Sequence, residues 1–200
     1  KMNIKDLSKK TLDFTIKRLV EIIGIIFIGF SILFLLSLLT YSPEDPNFIF
    51  SNNLEIKNIL GFKGSYISDL FFQSIGLISY LISLTIFFTG VNLIINKNLL
   101  IIFENIFYIV IYCIFGSLFF SSFYQDSFWL SINGNGGFVG NFLKKTFFFN
   151  LINLNKDISY YILSIIIIII FLVSINFNIR YLINLFKNIY SKLLRLKTGE

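Results

Sequence analysis

Four long apolar runs constrain this chain more than any other feature of its sequence. A helix that crosses a hydrocarbon core of roughly 30 Å needs about 20 consecutive apolar residues. Runs of this length, with almost no charge, occupy residues 19–40, 71–95, 99–124 and 158–177. We therefore predict an all-α membrane protein with four transmembrane helices. The hydrophobicity is continuous rather than alternating, which excludes the strands of a membrane β-barrel.

The composition of the whole chain agrees with a membrane protein. Hydrophobic residues make up 56% and charged residues 14% of the 200 residues. A soluble domain of this size cannot cover so much apolar side chain. The chain has no histidine and a single cysteine, Cys113, which removes an intrachain disulfide, histidine ligation of haem and the commonest zinc ligand. We expect no cofactor and no metal site within the chain.

The distribution of lysine and arginine predicts the orientation of the spans. Six basic residues precede the first span, Lys97 lies in the turn between the second and third spans, and five more follow the fourth. The two remaining loops together hold five over a longer stretch. Because cytoplasmic loops are enriched in Lys and Arg, we expect both termini in the cytoplasm and the two longer loops on the outer side of the membrane. The predicted divisions are a basic segment 1–18, a membrane domain 19–185 and a basic juxtamembrane segment 186–200.

Two acidic residues, Glu21 and Glu104, lie within the predicted spans. Each lies in the first two turns of its helix, where a negative charge complements the helix dipole. Glu21 can also pair with Lys17 or Arg18 on the same helix. An ionisable residue in a span otherwise marks a transport pathway. A small four-helix transporter or channel subunit, with Glu104 beside Asn105 in a polar track, is therefore the alternative function.

The first outer loop begins with TYSPEDPNF, residues 40–48, which contains both prolines of the chain. Residues 42–45 combine a serine N-cap with a proline at the first helical position, and Pro46 ends the turn. Glu44 and Asp45 lack the further oxygen ligands that a cation site needs. We interpret the stretch as a capped turn that redirects the chain, with Asp45 as a turn and cap residue.

The segment that follows this turn is too long to be one simple span. From Gly64 to Ile95 a continuous helix would measure roughly 48 Å, more than the thickness of a bilayer core. We predict a first section at the outer interface that bends near Gly76 into the second span.

The second outer loop contains a glycine-rich sequence, NGNGGFVG, at residues 133–140. It is similar to a phosphate-binding loop, but no strand precedes it and no Gly-Lys-Ser/Thr closes it. Phe and Leu recur after the glycines, with Lys144 and Lys145 between them. This pattern predicts an amphipathic helix that lies in the interface with its lysines towards water. A re-entrant hairpin is the alternative.

In this order, the loop motifs resemble the N-terminal four-helix membrane region of FtsK/SpoIIIE-type DNA translocases, over about residues 19–185. The family pattern has a tyrosine-containing Asp-Pro turn, an Asn…Gly-x-x-Gly…Asp segment, a glycine followed by an aromatic residue, and glycines in the second outer loop. The matching positions in this chain are Tyr41, Asp45, Pro46, Asn58, Gly61, Gly64, Asp69, Gly76, Tyr80, Gly136, Gly137 and Gly140. The chain departs from the pattern at Ser65 and Ser68, where alanine is usual, and at Ile75, where phenylalanine is usual.

The resemblance implies an anchor in the bacterial inner membrane at the division septum. It implies membrane lipids, divisome membrane proteins and copies of the same chain as partners, the family being hexameric. In the family, a linker and a motor that uses ATP and Mg to pump double-stranded DNA follow this region. No G-x-x-x-x-G-K-[ST] motif occurs in the chain, so we expect no enzyme activity here and DNA contact only through such a motor. We expect the reading frame to continue past Glu200 into that linker.

The predicted orientation can be tested with reporters of membrane topology. Fused after residue 97, a reporter that is active only in the cytoplasm is expected to be active, because Lys97 lies in a basic turn. The same reporter fused after residue 135 is expected to be silent, and a periplasmic reporter should give the reverse pattern. Periplasmic activity at residue 97 would contradict the orientation.

Overall fold

The computed structural model describes residues 4–46, 56–124, 130 and 132–176, with side chains described from Lys9 onward. Every regular element in these ranges is helical. The predicted juxtamembrane segment 186–200 lies outside the described residues. The elements, in chain order, are α1 (Ile4–Leu39), α2 (Gly61–Ile75), a 3-10 turn (Gly76–Ile78), α3 (Ser79–Asn96), α4 (Leu100–Phe123), α5 (Gly137–Leu143), α6 (Phe147–Leu154) and α7 (Lys156–Ser174).

Four stretches of helix are long and apolar enough to cross a membrane. They are Lys9–Leu39, Gly61–Asn96, Leu100–Phe123 and Lys156–Ser174. The predicted four-helix membrane fold is thereby confirmed. The third stretch ends within one residue of the predicted span at each end. The first begins well before residue 19, because polar residues of the N-terminal segment continue α1 without a break.

The second stretch is broken where the sequence predicts a bend. Gly76 has a positive φ of 74°, a conformation that residues with a side chain rarely adopt. The backbone therefore leaves the α-helical path after Ile75 and resumes it at Ser79. The bend near Gly76 is confirmed, and it divides this stretch into α2 and α3.

α1 and α3 cross closely at a pair of glycines, Gly24 and Gly90. A Cβ atom placed on Gly90 would lie 2.7 Å from the carbonyl oxygen of Gly24. A Cβ on Gly24 would in turn lie 2.7 Å from the carbonyl oxygen of Gly90. Since lipid supplies no hydrophobic force between helices, such close contact of small residues is a main source of packing energy in membranes.

α4 packs against α3 and α7 around a buried tyrosine. The hydroxyl of Tyr112 lies 3.1 Å from Oγ1 of Thr85 on α3, and Thr85 in turn lies 3.2 Å from Oγ of Ser174 on α7. Nearer the start of α4, Nδ2 of Asn105 donates to Oγ1 of Thr89 at 2.7 Å. These hydrogen bonds give the buried polar groups partners inside the bundle, as hydrocarbon cannot.

The bundle has two distinct ends, which we name by their connections. The turn end contains the short connection between α3 and α4, and the loop end contains α2, α5 and the end of α1. At the turn end, Glu21 pairs with Arg18 at 2.6 Å and with Lys97 at 2.7 Å. Of the two predicted partners on α1, Arg18 is therefore correct, whereas Lys17 pairs with Asp13 instead. Glu21 is the 18th of the 36 residues of α1, so it does not lie in the first two turns of its helix as predicted, and the Lys97 contact joins the middle of α1 to the turn after α3.

The second long loop differs from the predicted single amphipathic helix. It forms two short helices, α5 and α6, separated by a turn at residues 144–146. Hydrogen bonds from Lys145 and Thr146 back to α5 carbonyls close this turn. Lys144 is partly buried, with its ammonium 5.8 Å from the centre of the Phe149 ring, and this burial lowers the pKa of Lys144. Only Lys145 is exposed as predicted.

The α1–α3 crossing predicts a sharp difference between two glycines. Gly90→Ala places a methyl group against the backbone of Gly24 and Ile28, so we expect a loss of about 1–3 kcal/mol of unfolding free energy. Thermal unfolding of the purified chain in detergent measures this loss.

Gly29→Ala is the matched control, because no atom lies within 4 Å of the position of its Cβ. It makes the same chemical change in α1 without a clash. Equal stability of the two variants would contradict the tight crossing.

Candidate functional site

Asp45 joins the turn after α1 to the segment before α2. Its side chain is 4% exposed, and its two carboxylate oxygens accept the backbone N–H groups of Lys57 at 2.8 Å and of Asn58 at 2.9 Å. Backbone donors are thus the partners of this buried charge, as burial of a carboxylate requires. In the turn itself, Oγ of Ser42 accepts the backbone N–H of Glu44 at 3.4 Å.

The exposed neighbour of Asp45 behaves differently. Glu44 forms an ion pair with Lys57 at the surface. This pairing lowers the pKa of Glu44 and raises the pKa of Lys57. Glu44 and Asp45, the two adjacent acids of the turn at residues 42–46, therefore have separate roles, and they do not converge on one ligand.

Asn58 caps the end of α1 and forms part of the turn that precedes α2. Its Nδ2 donates to the carbonyl oxygen of Ser37 at 2.9 Å and to that of Thr40 at 3.3 Å. Its Oδ1 accepts the backbone N–H of Leu60 at 3.1 Å, and Gly61 donates its N–H to the Asn58 carbonyl. The last carbonyls of a helix have no partner within that helix, so one buried side chain supplies what the helix lacks.

Small residues let the start of α2 lie directly on the end of α1. Oγ of Ser37 donates to the carbonyl oxygen of Gly64 at 2.6 Å, and a Cβ on Gly64 would overlap Asn58. At the next residue, Oγ of Ser65 donates to the carbonyl oxygen of Pro46 at 2.8 Å. Ser65 is one of the departures from the pattern described above, and its hydroxyl ties α2 to the turn at residues 42–46.

Asp69 is the second buried acid of this end, and it lies beside Tyr41. The hydroxyl of Tyr41 donates to Oδ1 of Asp69 at 3.1 Å, and Nε2 of Gln73 donates to the same oxygen at 3.3 Å. Burial, together with the nearby Asp69 carboxylate, raises the pKa of Tyr41 above its ordinary value. The Phe72 ring contacts the rings of both Tyr41 and Tyr80, and the hydroxyl of Tyr80 donates to the carbonyl oxygen of Leu38 at 3.3 Å.

The two glycine motifs meet at the bend after α2. Leu77 donates its N–H to the carbonyl oxygen of Asn135 at 2.9 Å, and a Cβ on Gly76 would overlap that same carbonyl group. On the other side of this contact, Gly137 has a φ of 65°, and a Cβ there would lie 2.6 Å from the backbone nitrogen of Gly76. Both positions require glycine for conformation and for space.

α5 is also pressed against the end of α4. Cβ atoms on Gly136 and Gly140 would collide with the carbonyl oxygen of Ser117 and with Ser121. Oγ of Ser121 donates to the carbonyl oxygen of Gly140 at 3.1 Å, and Oγ of Ser117 donates to that of Ile75 at 2.8 Å. The backbones of three separate segments therefore meet here with almost no side chain between them.

All twelve motif residues thus belong to one connected set at the loop end of the bundle. We call this set the loop-end network: Tyr41, Asp45, Pro46, Asn58, Gly61, Gly64, Asp69, Gly76, Tyr80, Gly136, Gly137 and Gly140. Both of its carboxylates accept hydrogen bonds from neighbouring groups. The described residues contain no group of three or more metal-binding side chains. The arrangement fixes the backbone geometry of this end of the bundle.

A sequence model of the 4TM region of DNA translocase FtsK/SpoIIIE matches residues 16–187. The chain belongs to this family. The match spans most of the chain, including all of the last three candidate membrane-spanning stretches and the first from residue 16 onward. No curated protein and no solved structure gives a significant match.

Several partners in this FtsK-family network carry no signal in the sequence motif. Ser37 and Gln73 lie in apolar runs, and Asn133 is an ordinary polar residue of the second long loop. Nδ2 of Asn133 donates to the side-chain oxygen of Gln73 at 3.1 Å and thereby links the second long loop to α2. A polar residue inside a predicted span, such as Ser37, is the one signal that marks a partner in advance.

The network predicts that Asp45 stabilises the loop end. Asp45→Ala leaves the backbone N–H groups of Lys57 and Asn58 without their acceptors, which we expect to cost about 1.5–3 kcal/mol of unfolding free energy. Hydrogen exchange measured by mass spectrometry should show faster exchange of these two amides.

Glu44→Ala is the control, because it removes an acid of the same turn that is exposed. It should leave exchange at Lys57 and Asn58 almost unchanged. Addition of calcium or of a chelator should not change the stability of either variant. A calcium-dependent change in stability that Asp45→Ala abolishes would identify a cation site instead.

Proposed function

We propose that this membrane domain anchors and assembles an FtsK-like DNA translocase at the division septum of the bacterial inner membrane. The match to the 4TM region of the family supports a role as the membrane domain of such a translocase. The observation that carries the proposal is that the shared motif residues fix the shape of one end of the bundle. A domain that places a partner needs such a fixed surface, whereas an enzyme would need reactive groups in a cleft.

The proposed orientation puts the loop-end network in the periplasm and the turn end in the cytoplasm. Basic residues support this orientation, since Arg18 and Lys97 meet Glu21 at the turn end. In this arrangement both termini face the cytoplasm, where a linker, an ATP- and Mg-dependent motor and its DNA would lie. The periplasmic surface formed by α2, α5 and α6 would then face divisome membrane proteins and neighbouring copies of the chain.

The alternative of a transporter or channel receives less support. Asn105 faces the bundle, but its amide is hydrogen-bonded to Thr89, and the hydroxyl of Thr85 is hydrogen-bonded to those of Tyr112 and Ser174. Glu104 is exposed on the outside of α4 and does not join these groups. A carrier is expected to present polar groups to a central cavity near the middle of the membrane.

Localisation in dividing cells tests the anchor function. A fluorescent protein fused to this chain should form a band at the septum of the bacterium from which the chain comes. Gly137→Val should lose the band, because a branched side chain there strikes the backbone at Gly76 and cannot adopt the positive φ.

Gly29→Ala should keep the band, and membrane fractions should show equal amounts of both variants. Uniform distribution of the unchanged fusion around the membrane would contradict the proposal. Ion flux into vesicles that carry the purified chain, lost on Glu104→Gln, would favour the transporter instead.

A further inference from the structure

A groove lies between the last turns of α1 and the first turns of α2. Its volume is about 260 Å³. The lining residues are Phe30, Leu33, Phe34, Ser37, Leu60, Lys63, Gly64 and Ile67. All but three of these are hydrophobic, and the single charge among them belongs to Lys63.

The groove has a polar upper end and an apolar lower end. Ser37 lies two residues before the end of α1, whereas Phe30 lies nine residues before it. At 1.5 Å per residue, the lining on α1 runs from near the helix end to roughly 14 Å below it. Lys63, in the first turn of α2, is therefore near the level of the lipid headgroups, and Phe30 is well within the hydrocarbon.

The groove is open to the bilayer and closed towards the protein. Phe30 and Leu33 are 52% and 51% exposed, whereas Phe34 is 3% exposed and packs on the ring of Phe71 at 4.7 Å. The close contact of Gly64 with the end of α1 closes the upper wall. An occupant must consequently enter from the lipid side.

The charge of Lys63 remains available to such an occupant. None of the salt bridges among the described residues involves Lys63, and its side chain is exposed. The nearby acids have other partners: Glu44 pairs with Lys57, and Asp45 and Asp69 are buried acceptors. Lys63 is thus a cation directly above an apolar groove.

We propose that this groove binds one anionic phospholipid from the leaflet in which α1 ends. The ammonium group of Lys63 contacts the phosphate, and one acyl chain lies along Leu33 and Phe30. A lysine at headgroup depth attracts anionic lipid by about 1 kcal/mol, and a groove of this shape holds the chain in register with that charge. The proposal needs only insertion in a membrane and does not depend on the anchoring of a motor.

Native mass spectrometry of the purified 200-residue chain tests the proposal. The probes are phosphatidylglycerol and phosphatidylcholine with identical acyl chains. The unchanged chain should retain phosphatidylglycerol roughly fivefold more strongly, which corresponds to the attraction of one lysine. Lys63→Gln should abolish this preference, and Lys63→Arg should keep it.

Two further variants separate charge from shape. Lys145→Gln is the matched control, because it removes an exposed lysine of the other long loop that does not line the groove. It should leave the preference unchanged. Leu33→Trp fills the groove from the lipid side and should reduce retention of both lipids. Retention unaffected by Leu33→Trp, or a preference unaffected by Lys63→Gln, would overturn the proposal.

A measurement on the unchanged chain removes any dependence on the folding of variants. Phosphatidylglycerol with a photoreactive group in its acyl chain should label peptides that contain residues 30–37. Excess phosphatidylglycerol should compete, and phosphatidylcholine should compete weakly. Equal competition by both lipids would show a general lipid-facing groove. Disulfide-linked dimers of Phe30→Cys without lipid labelling would show that a second copy covers it, and either result would refute the proposal.

Discussion

The contact between the Gly76 bend and the Asn135–Gly137 segment is the interaction on which the loop end depends. It joins the end of α2 to the start of α5 through backbone atoms, and α5 in turn lies on the end of α4. The backbones are too close for any side chain, so the contact specifies position more sharply than apolar packing would. Asn58 caps the end of α1, and Asp45 accepts the backbone N–H groups of Lys57 and Asn58. These bonds fix the positions of α1 and α2 relative to each other.

The interior of the bundle follows a different physical rule. Its polar residues are hydroxyl and amide groups that bond one another across helices, as Thr85 does with Tyr112 and Ser174. In hydrocarbon a polar group without such a partner is costly, so these bonds fix which helix faces meet. The glycine crossing of α1 with α3 adds close backbone packing at the same depth range. Together they let four apolar helices pack in one arrangement.

The fold could be predicted from sequence because the length of an apolar run decides whether a helix crosses a membrane. Gly76 was predictable as a bend because an unbroken helix would be too long. The partners of Asp45 were not, since the two amides lie 12 and 13 residues away across a loop without periodicity. The turn at residues 144–146 was missed because no glycine or proline marks it. Ser117 and Ser121, four residues apart on α4, both contact the start of α5, and Ser117 also donates to the carbonyl oxygen of Ile75 at the end of α2.

The first two membrane-spanning stretches, which cross at Gly24 and Gly90, differ in helical continuity. α1 is one helix of 36 residues, roughly 54 Å from end to end, with a salt bridge to Lys97 at its middle, at Glu21, and with its C-terminal end capped by Asn58. The second stretch is interrupted at Gly76, so it cannot transmit a force along a single helix axis. A pull or a twist applied to the first turns of α1 is therefore transmitted as by a rod to the opposite side of the bilayer. α1 is therefore the continuous element of the domain, and α2 is the element that contacts its C-terminal end.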